Sequence, residues 1–164
     1  MEQTRLPWLH RLQRWMYRSG RPNRLARVLN ATLAVPFAHG ILVSRRWATL
    51  EVTGRRSGRT VSAPVVVADW QGERYLVSML GQRANWVRNV RAAGGRAVLR
   101  RRGREAVRLE EVDPSERAPI LRRYLQLAPG ARPHIPVDRR APLAEFERIA
   151  DRYPVFRVVP DGRQ

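Results

Sequence analysis

The segment Thr53-Gly54-Arg55-Arg56-Ser57-Gly58-Arg59-Thr60 sets two glycines around paired arginines and a serine hydroxyl, between two apolar runs. Those residue types suit an anion. Glycine permits backbone conformations that turn N–H groups toward a phosphate, and guanidinium forks add charge-assisted hydrogen bonds. The same residues also fit an ordinary solvated hairpin tip. A second segment, Ser78-Met79-Leu80-Gly81-Gln82-Arg83-Ala84-Asn85-Trp86-Val87-Arg88-Asn89, reads as a strand end, a glycine loop and a helix start. A helix start offers unpaired N–H groups and partial positive charge to an anion, with Arg83 and Arg88 close by. Trp86 fits either core packing or a platform for a ring. Both segments follow strands, so they could hold opposite parts of one phosphorylated ligand at one edge of a barrel. Hydroxyl or titratable groups able to deliver a proton are Ser78, Tyr124, His134 and Tyr153. Tyr124 lies on an otherwise apolar stripe, which also suits a core position. His134 lies in Arg132-Pro133-His134-Ile135-Pro136, on a loop long enough to form a lid.

The elements that must position these residues can be read from periodicity. Residues 47–53, 60–70 and 74–79 are β-rich runs punctuated by Gly54, Gly58 and Gln71-Gly72, three strands in meander order. A short helix over 85–93 is expected to start with Asn85 as its N-cap and stop at Gly94-Gly95. Strands 96–101 and 105–112 flank a hairpin turn, with Val107 and Leu109 facing one way and Arg108 and Glu110 the other. Asp113 caps a helix that runs to residue 128 with Ile120, Leu121, Tyr124, Leu125 and Ala128 on one face. A Pro- and Arg-rich loop over 129–140, a helix over 142–151 and a closing strand over 155–159 complete the pattern. Short sequential strands with helices around them imply an α+β chain, mainly β, built on a small antiparallel barrel rather than a βαβ sheet. Before the barrel, residues 6–17 put Trp8, Leu9, Leu12, Trp15 and Met16 on one helical face and Arg11, Arg14 and Arg18 on the other. A second helical stripe follows Pro22. Residues 1–44 are thus expected to form a helical segment and residues 45–164 the barrel domain.

Composition narrows the chemistry. The 164 residues suit one domain, and 43% hydrophobic content is enough for a core. The formal charge is +18, and all 32 basic residues are arginine. Such a field favours anionic ligands, nucleic acid or an acidic membrane surface, although arginine with alanine, glycine and proline is also what a GC-rich genome writes. The absence of cysteine excludes disulfides, thiolate nucleophiles and cysteine-ligated metals, and permits a cytoplasmic location. His10, His39 and His134 have no metal-ligand spacing, so no metal is expected. The uncharged stretch 28–44 is short for a membrane span. The Trp/Leu face of residues 6–17 suits packing on the domain or a second subunit, or peripheral contact between residues 5–18 and the anionic inner face of a membrane. No helix-turn-helix or RNP-type signature occurs, so no specific nucleic acid is expected, although Arg96, Arg100, Arg101, Arg102, Arg104 and Arg108 cluster on one hairpin. Motifs for nicotinamide binding, P-loop chemistry and the serine-hydrolase elbow are missing as well.

In order along the chain stand Leu50-x-x-Thr53-Gly54-Arg55-Arg56-Ser57-Gly58, Pro64, Ser78-x-x-Gly81 and Asn85-Trp86-x-x-Asn89. This series resembles the deazaflavin-dependent nitroreductase family, the F420H2-dependent quinone reductase-like branch of the FMN-binding split β-barrel proteins. The resemblance runs through about residues 45–112, with a compatible helix and final strand to about residue 159. It implies a split barrel that binds coenzyme F420, with the phosphate and oligoglutamate tail on a basic groove; FMN is the alternative cofactor. The implied cofactor-binding residues are Arg55, Arg56, Ser57 and Gly58 at the tail, and Pro64, Ser78, Met79, Gly81, Trp86, Arg88 and Asn89 near the ring or the phosphate. Ser78, His134 and Tyr124 are the catalytic candidates. The implied reaction is hydride transfer to a small organic acceptor such as a quinone, a nitro compound or an activated alkene, and family analogy implies a homodimer. The chain departs from the family pattern in its short 78–86 loop, with Ala84 where a proline is common and Val87 after the tryptophan. The family's substrate-side tyrosines have no secure counterpart here.

Overall fold

A strand that covers a core on one face alternates, whereas a strand covered on both faces carries an unbroken apolar run. Both patterns occur in the computed structural model, which describes residues 46–162. β1 (Trp47–Thr53) alternates, turning Ala48, Leu50 and Val52 into the core. β2 (Thr60–Trp70) is apolar over residues 65–68 because it serves two cores: Val65 and Val67 point inward, Val66 and Ala68 outward. β3 (Glu73–Val77), α1 (Asn85–Ala92), β4 (Arg96–Arg100), β5 (Arg104–Glu111), α2 (Arg117–Leu127), α3 (Leu143–Glu147) and β6 (Val155–Pro160) follow. The strands close into a barrel in the order β1-β2-β3-β6-β5-β4, every pair antiparallel. This is the small antiparallel barrel that the alternating short runs imply.

The barrel interior holds Leu50, Leu76, Leu99, Val107, Leu109, Phe156 and Val158, closed at one end by Val87 and Val90 of α1. A second core lies outside, where Ile120, Leu121, Tyr124 and Leu125 of α2 pack with Phe146 of α3 on Val66, Ala68, Val77 and Val155. Each fully buried side chain of this kind contributes roughly 1.5–3 kcal/mol. On the outer face of β4 and β5, Arg96 lies opposite Arg108 and Arg100 opposite Arg104. Like charges in direct opposition repel. Glu51 of β1 relieves the second pair, its carboxylate 2.9 Å from Arg100 and 3.0 Å from Arg104.

Most boundaries follow the sequence pattern to within one or two residues, and three elements differ. Ala84, not Asn85, is the N-cap of α1, because the Asn85 side chain is engaged by Arg55. The helix expected to begin at Pro114 starts as a 3-10 turn (Pro114–Glu116) before α2, although Asp113 does cap it through the Ser115 N–H. The helix expected over 142–151 is a short α3 followed by a 3-10 turn (Ala150–Arg152). The 129–140 loop is anchored, with Ala131 and Ile135 buried and the Arg132 Nε donating to the Leu125 carbonyl. The helices expected before residue 45 lie outside the described residues.

Candidate active site

Two glycine loops flank α1. The first is the β1–β2 turn, which bonds to itself: Gly54 N–H donates to the Arg59 carbonyl and Gly58 N–H to the Gly54 carbonyl, each at 2.8 Å. A Cβ on Gly54 would meet Ser57 Oγ at 2.8 Å and the Arg59 carbonyl at 3.2 Å, so a side chain there is crowded, and Gly58 has φ +65°, a conformation that favours glycine. The turn is fastened to α1. Arg55 donates from its backbone N–H to Asn89 Oδ1 at 3.2 Å, and from Nη1 to Asn89 Oδ1 at 2.9 Å and Asn85 Oδ1 at 2.8 Å. Arg56 and Arg59 stay exposed and make no side-chain hydrogen bond or ion pair among the described residues. The first turn of α1 has no acidic residue and no side-chain cap, so the positive end of the helix adds to the same field.

The second loop follows β3. Ser78 is buried, donating from N–H to the Pro154 carbonyl at 2.9 Å and from Oγ to the Gly81 carbonyl at 2.9 Å. Gly81 has φ +75°, and a Cβ there would come within 3.1 Å of the Arg152 carbonyl. Gln82 Nε2 donates to the Asp151 carbonyl at 2.6 Å. Between this loop and residues 152–153 lies an open cavity of about 280 Å³ lined by Met79, Leu80, Gly81, His134, Arg152 and Tyr153. The Tyr153 hydroxyl donates to the His134 carbonyl at 3.0 Å, and burial raises its pKa. No carboxylate lines the cavity, and Arg152 in its lining makes no side-chain hydrogen bond or ion pair among the described residues, its charge acting on Tyr153.

A polar brace ties the two loops together. Arg91 of α1 grips Glu111 at 2.9 and 2.6 Å and also reaches Gln82 Oε1 at 2.7 Å. Glu111 meets the buried Arg117 at 3.2 Å, and Arg117 donates to the carbonyls of Val112, Ala150 and Tyr153. The Arg91 fork, opposed by burial and aided by the charges of Arg91 and Arg117, holds the Glu111 carboxyl below its ordinary value of 4.5. A depressed folded pKa contributes stability that is complete above the unfolded value and fades as pH falls through the folded one. The melting temperature is therefore expected to drop as pH falls below about 4.5, with a smaller drop in Glu111→Gln. Equal acid sensitivity in the two proteins would remove Glu111 from the brace.

The sequence-predicted residues divide into groups. Met79, Gly81 and His134 line the cavity, with Ser78 directly beneath. Arg55 and Asn89 come together, although with each other, and Arg56, Ser57 and Gly58 sit in the same turn. Arg88 is exposed on α1. Trp86 is half-buried at the end of the barrel core, its ring 5.5 Å from that of Phe156 at 58°. Pro64 is exposed on β2 opposite Thr49. Tyr124 is packed in the outer core and does not line the cavity; its apolar stripe faces the sheet, and burial raises its hydroxyl pKa. Arg59, Leu80, Arg152 and Arg117 were missed. Arg59 and Leu80 lie inside the two glycine segments of the sequence, whereas Arg152 and Arg117 carried no signal.

A family model described as F420H(2)-dependent quinone reductase matches residues 27–143. No curated protein matches the chain. Among solved structures it is similar to a protein of unknown function from Agrobacterium tumefaciens str. C58, with TM-score 0.54, 16% identity, and coverage of 80% of this chain and 55% of that one. The chain thus spans little more than half the length of that protein, and the likeness is one of fold. It is also similar to an F420-H2 dependent reductase, with 25% identity, TM-score 0.43, and coverage of 71% of this chain and 96% of that one. A FAD-binding protein from Mesorhizobium loti follows at 16% identity and TM-score 0.46, with coverage of 76% and 87%.

Proposed function

The chain belongs to the F420H2-dependent quinone reductase family, and on that premise we propose that the β1–β2 turn and the start of α1 hold coenzyme F420 while the adjoining cavity receives a small organic hydride acceptor. The cofactor class follows from the family. The residues are this proposal's own assignment, and one observation carries it: exposed Arg56 and Arg59, without side-chain partners among the described residues, stand on a turn locked to a helix start that has no acidic residue. That donor set fits a phosphate and an oligoglutamate tail, which need several cations and no competing carboxylate. Ser57, Gly58 and Arg88 are assigned to the anion side, with Asn89 behind them on Arg55, and Ser78, Met79, Gly81 and Trp86 to the ring side.

When bound, the reduced cofactor supplies a hydride, and the hard chemistry is its own. The chain's part is to bind, orient and deliver a proton. Met79, Leu80 and Tyr153 give the acceptor apolar walls, and Arg152 gives it a cation at the rim. His134 lines the cavity and carries an imidazole, a side chain suited to general acid work, so it is the proton donor assigned here. The hydroxyls of Ser78 and Tyr153 are committed to carbonyls and hold the walls in place. Quinones, nitro compounds and activated alkenes are the acceptor classes. The sequence spacing of Trp8, Leu9, Leu12, Trp15 and Met16, with Arg11, Arg14 and Arg18 interleaved, supports contact with an anionic membrane surface through residues 5–18. A homodimer rests on family analogy alone.

The test is a fluorescence titration of the protein with oxidised F420 beside FMN, at a salt concentration that screens the +18 charge. Saturable binding of F420 with much weaker binding of FMN is the expected result. Weak, salt-abolished binding of both would overturn the assignment.

A further inference from the structure

The two arginines of the turn do different work. Arg55 spends its backbone N–H and its Nη1 on α1, and the acceptors are the side-chain carbonyls of Asn85 and Asn89. Residues four apart on a helix share a face, so the Asn-Trp-x-x-Asn spacing presents two amide oxygens side by side to a single guanidinium. Asn89 is only 2% exposed, so its carbonyl is committed to this junction. The acceptors are also neutral. Elsewhere in the barrel arginines are held by carboxylates: Arg74 by Glu105, Arg91 by Glu111, Arg100 by Glu51, Arg157 by Glu110. A carboxylate at position 85 or 89 would cancel the charge of Arg55 and repel an anion arriving at the turn. An amide fixes the guanidinium without adding a negative charge at the turn.

From this geometry, and resting on the cofactor site proposed above, we infer that Arg55 is a positioning residue. It locks the turn of residues 54–59 onto α1 through Asn85 and Asn89, so that Arg56 and Arg59 are the guanidinium groups presented to the phosphate and tail. Asn89 then acts through Arg55, not as a ligand of the cofactor. The turn is preformed before binding, which lowers the ordering cost of capturing a flexible anionic tail.

The test is a double-mutant cycle on Arg55 and Asn85, read as the affinity for oxidised F420, with amide hydrogen exchange of residues 54–59 measured in the cofactor-free protein. Asn85 is half-buried at the start of the helix and changes no charge when replaced, so Asn85→Ala is expected to fold. It should speed exchange in the turn and weaken F420 about fivefold, less than a whole charge-assisted bond because Asn89 still holds Arg55. Arg55→Ala should weaken F420 about tenfold, and the double variant no further than Arg55→Ala alone, because both changes open one latch. Asn89→Ala should repeat the pattern with a larger change in exchange. Losses that multiply in the double variant, as independent contacts with the cofactor would give, overturn the inference. So does turn exchange that Asn85→Ala leaves unchanged. A wild-type protein that does not bind F420 instead overturns the cofactor site, and the exchange measurement then still decides whether the latch exists.

Discussion

Alanine at both Arg56 and Arg59 is expected to weaken binding of oxidised F420 about a hundredfold or more while leaving the melting temperature nearly unchanged. A hydrogen bond to a charged group is worth about 1.5–3 kcal/mol, and a hundredfold change in affinity corresponds to about 2.7 kcal/mol. Two lost guanidinium contacts therefore reach that level even with some compensation by water. Stability should hold because both side chains are exposed and make no side-chain contact of their own among the described residues, and surface substitutions of this kind usually change stability by less than about 0.5 kcal/mol. The loss should also be specific to the anionic part of the ligand. Affinity for the tail-less deazaflavin nucleoside is expected to be the same in wild type and double variant, and the salt dependence of F420 binding should flatten once the two charges are gone. An equal loss for the nucleoside would mean that the turn contacts the ring. Undiminished affinity for F420 would move the anion site elsewhere, with the arginine face of β4 and β5 the next place to look.

What the sequence made legible here was whatever depends on local pattern. The β-rich runs over residues 47–53, 60–70 and 74–79 and the alternation around Val107 and Leu109 specify strands, and six short strands in series leave a barrel as the economical closure. The glycines of the β1–β2 turn marked a special backbone, and Gly58 has it with φ +65°, whereas Gly54 answers to crowding at its Cβ position. Side-chain partners were not legible, because they are set by elements that meet only after folding. Nothing near Asn85 in the chain indicates that its oxygen will face Arg55 across thirty positions of sequence; a helix-starting asparagine reads as a cap, and the cap fell to Ala84. Tyr124 illustrates the same limit in reverse: its hydroxyl suggests chemistry, whereas the stripe of Ile120, Leu121 and Leu125 beside it decides its position, and that stripe faces the sheet. The cavity was half visible. Met79 and Gly81 came from the family resemblance and His134 and Tyr153 from their acid–base groups, but Arg152 joins them only because the 3-10 turn after α3 brings residues 150–152 back against the Gly81 loop.

Arg117 was invisible for a related reason, and its removal is expected to be the most destabilising single change among the polar residues discussed. Arginine is normally a surface residue, yet this one is 3% exposed at the start of α2 and donates to three backbone carbonyls and to Glu111. Burial lowers its pKa, with the Glu111 charge acting against that shift. Arg117→Met would keep much of the aliphatic stem and remove the donors. The carbonyls of Val112, Ala150 and Tyr153 would then lose a partner in a dry environment, and each unsatisfied buried group costs about 1–3 kcal/mol. Glu111 would still be held by Arg91, so the net cost should be about 3 kcal/mol rather than the full sum. For a chain of this size that corresponds to a fall in melting temperature of about 6–12 °C. The functional consequence follows from what those carbonyls anchor. Ala150 and Tyr153 bracket the segment that supplies Arg152 and Tyr153 to the cavity, so its amides should exchange faster, and the KM for the acceptor should rise more than the affinity for F420 falls. A variant that melts at the wild-type temperature with unaltered exchange at residues 150–154 would show that packing of α2 alone fixes this wall. Loss of F420 affinity equal to the rise in KM would instead place the Arg117 brace under both halves of the site, through Glu111 and Arg91 to α1.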